Sequence, residues 1–307
     1  MKEKQTTCHI LMIRPARFIY NAETAVNNSF QDADTNQDNV AQKASEEFEN
    51  LVSTLKVNGI NAMAIDDTAE PETPDSIFPN NWISTHGNGD IFLYPMFAEN
   101  RRLERKKTVT DLIEKKFQVK QYHNLSHFES ENIFLEGTGS MVLDRENKFA
   151  YACLSPRTDR KLLDIFCSEA GYESMVFDAL DINDQPIYHT NVMMAVADQY
   201  VVICLDSVKS KEQRLMLETS FEKSNKTIIP ISHDQMNHFA GNMLQVENMT
   251  GEKILLMSSQ AFHSLTEPQI NTLQSFNTIV HSDISTIEKN GGGSVRCMLA
   301  EIHLNQK

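Results

Sequence analysis

The feature that most constrains the fold is a pattern of strands and helices that recurs along the chain. In each copy, a turn of small polar residues leads into two β-rich segments, a charged amphipathic helix and a short apolar strand. The clearest copy reads HTNVMMAVADQYVVICLDS, then KSKEQRLMLETSFEKS, then KTIIPIS. The leading positions of the copies are about 50–55 residues apart, which is one supersecondary unit per repeat. The residues at these positions are Asn81, Glu136, His189, Asn242 and Cys297.

The two ends of the chain complete the repeat count. The N-terminal part supplies a strand CHILMIRPARF, a helix VAQKASEEFENLVSTLK and a strand NAMAI, whereas the C-terminal part supplies only a strand, SVRCMLAEIHL. We expect the last strand to join the N-terminal module, because closing a ring removes exposed strand edges. The sequence therefore predicts an α/β fold, a five-bladed α/β propeller of ββαβ modules with pseudo-fivefold symmetry, in a single domain over residues 1–307. An α+β domain without symmetry is the alternative.

Composition narrows the class of protein. The formal net charge of −14 disfavours nucleic acid, and the basic cluster Arg101–Lys107 is interpreted as mainly a solvated helix face. No apolar run is long enough for a membrane span or a signal peptide, so we expect a cytoplasmic protein. The five cysteines are widely spaced without a CxxC pair, which predicts reduced thiols and neither a zinc site nor a disulfide framework.

Two of the leading residues could form a nucleophile and its base. Cys297 follows Asn290 and three glycines, a loop that must serve a backbone need such as close approach of a ligand. We expect the thiol at the start of a strand, at a rim, with Arg296 pointing to the opposite face and taking no part. His189 holds the equivalent place in its module, so a ring would bring the two side chains together.

Glu136 leads the preceding module and could orient the imidazole or contact a substrate nitrogen. Other chemistries fit less well. The glycine motifs lack the GxGxxG spacing of a dinucleotide site, GxSxG and HExxH are absent, and His233, Asp234 and His238 make only a weak metal set. We therefore predict no cofactor and no metal.

The motifs LEGTGS, LSPRT, YHTN, GGGSVRC and PDSIFPNNW resemble the pentein superfamily, which includes arginine deiminase, dimethylarginine dimethylaminohydrolase and the amidinotransferases. With MIRPARF and NAETAVNNSFQ, the chain looks closest to a subgroup of citrulline-utilising hydrolases. The resemblance spans nearly the whole chain. It implies that Cys297 attacks the guanidino or ureido carbon, that His189 protonates the leaving nitrogen and then activates water, and that Glu136 holds His189 or a substrate nitrogen.

The resemblance also implies substrate-binding residues. Arg157 would pair with the substrate carboxylate through a two-pronged fork, with Arg101 or Arg102 assisting, and Asp75 matches an aspartate near the substrate. Asn242, as a leading residue, joins this set.

Two departures from the family pattern point to a neutral substrate. Asn81, next to Asn80, stands where guanidinium-binding members carry an acidic residue, and Asn191 stands where deiminases carry aspartate. A buried carboxylate suits a guanidinium, whereas an amide offers both a donor and an acceptor to a ureido group. The sequence thus favours citrulline, hydrolysed to ornithine, ammonia and carbon dioxide. The alternative is that these asparagines only form turns.

Other functions remain open at this point. The chain could be an arginine deiminase, a dimethylarginine dimethylaminohydrolase or an amidinotransferase, or a binding protein of the same fold with an inactive site. We expect a small amino-acid partner and neither nucleic acid nor membrane, with self-association left open. Residues 21–40 have few large apolar side chains and predict a long loop that could cover the site.

Overall fold

The computed structural model describes residues 3–34 and 37–307, so residues 35 and 36 of the predicted loop lie outside the described part. Its strands are β1 (His9–Arg14), β2 (Asn61–Asp66), β3 (Ile83–Thr85), β4 (Asp90–Leu93), β5 (Gln121–Asn124), β6 (Val142–Asp144), β7 (Phe149–Cys153), β8 (Glu173–Phe177), β9 (Met194–Val196), β10 (Tyr200–Ile203), β11 (Thr227–Pro230), β12 (Leu244–Glu247), β13 (Lys253–Ser258), β14 (Thr278–Ser282) and β15 (Ala300–Glu301).

Its α-helices are α1 (Ala22–Ala25), α2 (Gln37–Val57), α3 (Glu99–Arg102), α4 (Lys107–Lys116), α5 (Gly137–Ser140), α6 (Arg160–Ala170), α7 (Thr190–Met193), α8 (Lys211–Lys223), α9 (His233–Asn237), α10 (Ser259–Ser264), α11 (Glu267–Gln274), α12 (Ser285–Gly291) and α13 (Val295–Met298). Short 3-10 helices span Pro79–Asn81, Ser126–Glu131 and Leu205–Ser207. None of these helices is both long and apolar enough to cross a membrane.

The strands form five sheets of three, which confirms the predicted α/β fold of five repeated modules. Within a sheet, an inner strand pairs antiparallel with the middle strand, which pairs parallel with an outer strand; Val201 of β10, for example, faces Val196 of β9 and Ile228 of β11. A parallel pair needs a long crossover, and an amphipathic helix such as α6 or α8 supplies it. The helices pack their apolar faces on the outer side of the sheets, as Leu162, Leu163 and Phe166 of α6 do.

The first sheet is built from both ends of the sequence. Strand β15 pairs antiparallel with β1, which places Ile10 opposite Glu301 and Leu11 opposite Ala300, and β1 pairs parallel with β2. The sheet therefore has the same strand arrangement as the other four. That residues 1–307 form one domain stays a prediction.

The nucleophile candidate does not start a strand, which corrects our expectation. Cys297 lies in the one-turn helix α13, and the strand that follows is only Ala300–Glu301. Glu136 and His189 precede similar one-turn helices, α5 and α7, before their inner strands. The thiol is also buried rather than at a rim, with only 3% of Cys297 exposed.

The basic cluster is mostly not a solvated helix face, again contrary to expectation. Arg101 is buried and forms a two-pronged ion pair with Glu104. Arg105 pairs with Glu129, and Lys106 pairs with Asp67; Lys107 alone of these is largely exposed. These side chains bury their aliphatic stems and pair their charges with nearby carboxylates, so a run of basic residues in the sequence does not mark a solvated helix face here.

The predicted loop at residues 21–40 is only partly irregular. Helix α1 occupies Ala22–Ala25, capped by the Asn21 side chain, and α2 begins at Gln37 rather than after the loop. We call the stretch from Asn21 to Asp34 the cover segment, because it lies over the leading residues of the modules.

Candidate active site

The leading residues of the five modules meet at the centre of the ring. Glu136, His189, Asn242 and Cys297 are each less than 4% exposed, as is Asn81. Asn242 donates to the Cys297 sulfur at 3.3 Å, and His189 is bonded to Glu136 at 2.8 Å. The residues that hold equivalent positions in the sequence repeat therefore lie close together in space.

The Cys297 thiol is held by amide side chains rather than by charged groups. Its sulfur receives hydrogen bonds from Asn242 Nδ2 at 3.3 Å and from Asn191 Nδ2 at 3.5 Å. Burial raises the pKa of the Cys297 thiol, opposed by the Ser294 backbone, these amides and the positive charge of Arg296. The charge of Arg296 therefore lowers the pKa of the Cys297 thiol, although we expected Arg296 to take no part. Its guanidinium donates hydrogen bonds to the Leu299 carbonyl and to Glu301.

The imidazole of His189 is oriented by a carboxylate. Its Nε2 lies 2.8 Å from Glu136 Oε2, and an ionised carboxylate only accepts, so Nε2 carries the proton and Nδ1 is the basic nitrogen. Burial is the main cause that lowers the pKa of His189 to about 4, despite Glu136. The neighbouring Arg157 and His189 hold the pKa of Glu136 well below its usual range against burial. The base is therefore neutral at pH 7.

Gly139 makes room for this arrangement. A Cβ atom at that position would lie 2.4 Å from Asn81 Nδ2 and 2.8 Å from His189 Nδ1. Real Cβ contacts are not that short, so any other residue would displace the amide or the imidazole. The two nitrogen atoms accordingly flank the same small space beside Gly139.

Arg157 is fully engaged by the protein in this structure. Its Nε and Nη2 donate to Asn27 Oδ1 at 2.8 and 2.5 Å, and its Nη2 also donates to the Thr24 carbonyl at 2.7 Å. Its Nη1 lies 3.5 Å from Glu136 Oε2, and its guanidinium stacks over the Tyr188 ring. The cover segment therefore occupies the fork that the resemblance assigns to a substrate carboxylate.

Arg101 joins two other predicted residues. Besides Glu104, it donates from Nη1 to Asn81 Oδ1 at 2.8 Å and lies 4.0 Å from Asp75. Asn81 Nδ2 and Asp75 Oδ1 are buried without a hydrogen-bond partner. Burial raises the pKa of Asp75, which Arg101 opposes. The site thus contains one unpaired donor and one unpaired acceptor.

Five of the predicted residues do not line the cavity. Glu136, Asn191 and Asn242 bond directly to His189 or Cys297, which do line it, whereas Asn80 and Arg102 bond elsewhere. Asn80 is buried against Thr138, to which its amide donates at 3.3 Å. Arg102 bonds to the carbonyls of Met96 and Phe97. Neither lines the cavity, whereas Cys297, His189, Asn81, Asp75, Arg101 and Arg157 do.

The sequence interpretation missed several residues that line the cavity. These are Thr24, Asn28, Phe78 and Tyr188, whereas the glycine loop, predicted as a place of ligand approach, lines the cavity through Gly291, Gly292 and Gly293. The dense polar residues of NAETAVNN were a usable signal for the first two. Gly292 has φ of 63° and accepts from Tyr188 Oη at 2.5 Å, so the glycine loop serves protein contacts as well as ligand approach.

The remaining space in the cavity is about 10 Å³, close to the minimum that one water molecule requires. An amino acid cannot enter this space without movement of lining residues, two of which, Thr24 and Asn28, belong to the cover segment. Among the described residues, no group of three or more His, Cys, Asp or Glu side chains is placed to hold a metal ion. His238 of the weak metal set is exposed and faces Asp234.

Solved structures share this fold at low sequence identity. ArgZ, an arginine dihydrolase from the ornithine–ammonia cycle in cyanobacteria, is 15% identical with a TM-score of 0.75 over 96% of this chain and 40% of its own. Its N-terminal domain, as a cysteine-to-serine variant bound to substrate, gives 0.74 at 15% identity over 96% of this chain and 97% of that domain. The present chain thus spans less than half of full-length ArgZ.

A dimethylarginine dimethylaminohydrolase, a histidine-to-glycine variant with an S-methyl-L-thiocitrulline adduct, gives a TM-score of 0.64 at 17% identity, over 97% of this chain and 100% of that one. A comparison with curated protein sequences gave no match. These structures share with this chain the α/β fold of five repeated modules.

A family model described as eukaryotic N,N dimethylarginine dimethylhydrolase matches residues 14–304. The chain belongs to this family, a group of guanidino hydrolases within the pentein superfamily. The proteins it resembles are described as acting on arginine or dimethylarginine, so the comparisons do not support citrulline specifically.

Proposed function

We propose that this chain hydrolyses the guanidino group of arginine through a covalent Cys297 adduct and carries the reaction through the ureido stage to ornithine. Over two cycles, arginine and two water molecules give ornithine, two ammonia molecules and carbon dioxide. The observation that carries the proposal is the unpaired Asn81 amide donor beside His189, in a cavity that also contains Cys297. The similarity to an arginine dihydrolase supports it.

Each cycle uses the same three side chains. As Cys297 Sγ bonds to the guanidino carbon, its proton passes to the neutral His189 Nδ1. The imidazolium returns that proton to the leaving nitrogen, the C–N bond breaks and ammonia departs. His189 then takes a proton from water, the hydroxyl adds to the carbon, and the C–S bond breaks as the imidazolium returns the proton to the sulfur. The first cycle releases citrulline. The second cycle releases the carbamate of ornithine, whose remaining C–N bond breaks as it loses carbon dioxide. Glu136 stabilises the transient imidazolium, as a buried carboxylate does in other triads.

The orientation of Asn81 favours a ureido oxygen. Arg101 Nη1 is a donor and therefore fixes Asn81 Oδ1 toward itself at 2.8 Å, which leaves Nδ2 as a donor without a partner. A buried donor left unpaired costs about 1–3 kcal/mol. A ureido carbonyl would satisfy it, whereas a guanidinium offers only N–H groups. The earlier prediction of citrulline thereby becomes a prediction about the intermediate.

Charged groups of the substrate have two partners in this proposal. Asp75 Oδ1, buried and unpaired, accepts from a cationic group of the substrate. Arg157 binds the carboxylate after the cover segment releases it, because Asn27 Oδ1 presents the same kind of oxygen acceptor at 2.8 Å. Binding therefore exchanges one acceptor for another on the same guanidinium.

Product analysis tests the proposal. The purified chain is incubated separately with arginine, citrulline and N,N-dimethylarginine, and ornithine, citrulline, ammonia and dimethylamine are quantified. We expect two ammonia molecules per ornithine from arginine, and turnover of added citrulline. Arginine that stops at citrulline would identify a deiminase. Dimethylamine as the dominant product would favour the second candidate, dimethylarginine hydrolysis, which the family match supports.

Two controls separate the remaining alternatives. Guanidino transfer to added glycine would identify an amidinotransferase, and no turnover of any substrate would leave a binding protein. Cys297→Ser should abolish turnover, whereas Cys8→Ser, a half-buried thiol away from the cavity, should not. Full activity in Cys297→Ser would refute the nucleophile assignment.

Asn81→Asp tests the ureido stage directly. The new carboxylate pairs with Arg101 and removes the donor, so it should weaken ureido binding and favour the guanidinium. We expect citrulline to accumulate from arginine and citrulline turnover to fall by about 10-fold or more, since a lost hydrogen bond to an unpaired group is worth about 1–3 kcal/mol. An unchanged product ratio would count against the role of Asn81.

A further inference from the structure

Glu288 is a buried carboxylate that the proposed mechanism does not use. It lies in α12, the helix that ends at the glycine loop, and is 2% exposed. Its Oε1 accepts a hydrogen bond from Ser294 Oγ at 2.6 Å, and its Oε2 has no partner. A buried, partly satisfied carboxylate is costly, so its presence requires an account.

Glu288 connects both sides of the glycine loop. Its backbone carbonyl accepts from Gly292 N at 2.8 Å, where the helix ends. Its side chain holds Ser294, which precedes α13. The Ser294 carbonyl in turn accepts from Cys297 N at 2.9 Å. A short chain of bonds therefore runs from the Glu288 carboxylate to the backbone of the nucleophile.

We propose that Glu288 is a positioning residue that holds Ser294, and through it the turn that carries the Cys297 thiol. The bond between the Ser294 hydroxyl and the Glu288 carboxyl group is short, at 2.6 Å, and buried at both ends, so removal of either partner leaves a buried polar group unpaired. It fixes the loop, whose glycines impose few restraints of their own. The inference rests on Cys297 as the nucleophile of the proposed function.

A second carboxylate, which contacts the start of the same helix from outside it, serves as a control. Glu47 of α2 accepts from the backbone N–H groups of Thr286 and Ile287 at 2.9 and 3.0 Å and so caps the start of α12. Among the described residues, the Ser294 hydroxyl bonds to Glu288 and not to Glu47. We therefore expect loss of the Glu47 cap to weaken α12 while the Ser294 bond stays in place.

The experiment compares Glu288→Ala, Glu288→Gln and Ser294→Ala in the full chain. Iodoacetamide labelling of Cys297, followed by mass spectrometry over a range of pH, measures thiol reactivity without any substrate; kcat and KM are measured on the best substrate. We expect Glu288→Ala and Ser294→Ala to lower kcat by about 10- to 100-fold with little change in KM, as misplacement of a reacting group does, and to change the labelling rate. Glutamine keeps the acceptor and should restore most of both.

Several outcomes would overturn the inference. One is a folded Glu288→Ala variant whose Cys297 is labelled at the wild-type rate. Another is a Glu288→Gln variant whose kcat is as low as that of Glu288→Ala. A third is a double variant Glu288→Ala/Ser294→Ala whose loss of kcat equals the sum of the two single losses in free energy. Glu47→Gln should lower the unfolding temperature with normal labelling; equal impairment there would show that any loosening of α12 suffices. Because labelling needs no substrate, a wrong proposed substrate would leave this result intact.

Discussion

The proposed nucleophile and base, Cys297 and His189, are neutral in the resting site. Burial raises the pKa of Cys297 and lowers that of His189 to about 4, so neither forms a stable thiolate–imidazolium pair before substrate arrives. In the proposed reaction, amide donors from Asn191 and Asn242, together with the positive charge of Arg296, stabilise the developing thiolate. The thiol thus depends on proton transfer during attack, which gives a measurable dependence on pH.

We predict that the rate at which iodoacetamide labels Cys297 keeps rising at pH values where labelling of an ordinary thiol, with a pKa of about 8.5, has already levelled off. The thiolate is the reactive form, and a raised pKa shifts its appearance to higher pH. Mass spectrometry of the Cys297 peptide gives the rate, and the same cysteine in urea-unfolded chain is the control. A plateau already at pH 7 would show a preformed thiolate and contradict the prediction.

We predict that Gly139→Ala strongly reduces turnover without unfolding the protein. The added methyl group would approach Asn81 Nδ2 and His189 Nδ1 to less than 3 Å and would displace one of them, and misplacement of about 1 Å can cost about 100-fold in rate. Steady-state kinetics and circular dichroism check this. Gly171→Ala, whose φ of 72° also strains alanine but which has nothing within 4 Å, controls for backbone effects; equal loss of turnover there would refute the steric explanation.

At the residue scale, the repeat predicted that Cys297, His189 and Glu136 lie close together, because they occupy equivalent positions, and the structure places them so. Their catalytic roles stay a prediction. The sequence could not assign the partners of Arg157, since Asn27 and Thr24 are about 130 residues away along the chain and meet it only through tertiary packing. Asn80 and Asn81 are adjacent in sequence, yet only Asn81 lines the cavity. The 3-10 turn at Pro79–Asn81 directs the two amides to different neighbours.

Among the elements, the cover segment couples access to recognition. Asn21 and Thr24 bond to Asp75 Oδ2 at 2.8 and 3.0 Å, and Phe30 packs near Tyr188 and Phe239. The segment is therefore attached to the site by polar contacts that a substrate could replace. These contacts could not be predicted from the sequence, because a stretch rich in polar residues indicates an irregular loop.

We predict that Asn27→Ala increases the accessibility of Cys297. The change removes the acceptor for Arg157 Nε, and hydrogen bonds to charged groups contribute about 1.5–3 kcal/mol, so the opened form should rise by about tenfold or more. Labelling with a bulky maleimide measures this, and Ser29→Ala, an exposed neighbour, is the matched control. Slower or unchanged labelling would contradict the role of Asn27 in holding the cover segment against Arg157.

For the whole molecule, the ring was predictable because the same hydrophobic and turn pattern recurs in each module. The one-turn helices before the inner strands were not, since four residues carry too little periodicity to separate a turn of helix from a strand start. That ambiguity explains why Cys297 was expected in a strand and lies in α13. The N-terminal residues before β1 gave no signal at all, although Gln5 bonds to two modules.

We predict that Gln5→Ala lowers the free energy of unfolding by about 2–4 kcal/mol, because it removes three buried hydrogen bonds of about 1 kcal/mol each and leaves their partners unpaired. The bonds join Gln5 to the Leu143 and Val196 carbonyls and to Arg145 N. Urea unfolding measures the change. Gln42→Ala, on the exposed face of α2, should stay within about 0.5 kcal/mol; equal effects would contradict the prediction.

The pairing of β15 with β1 has a consequence for biosynthesis. During translation, β1 is made nearly three hundred residues before Glu301, its partner in the sheet. The nascent chain must therefore hold an unfilled sheet position until Ala300 and Glu301 have left the ribosome. Because Cys297 lies just before that strand, the proposed nucleophile reaches its amide donors only as the ring closes, so a translation product truncated before Ala300 would lack the assembled site.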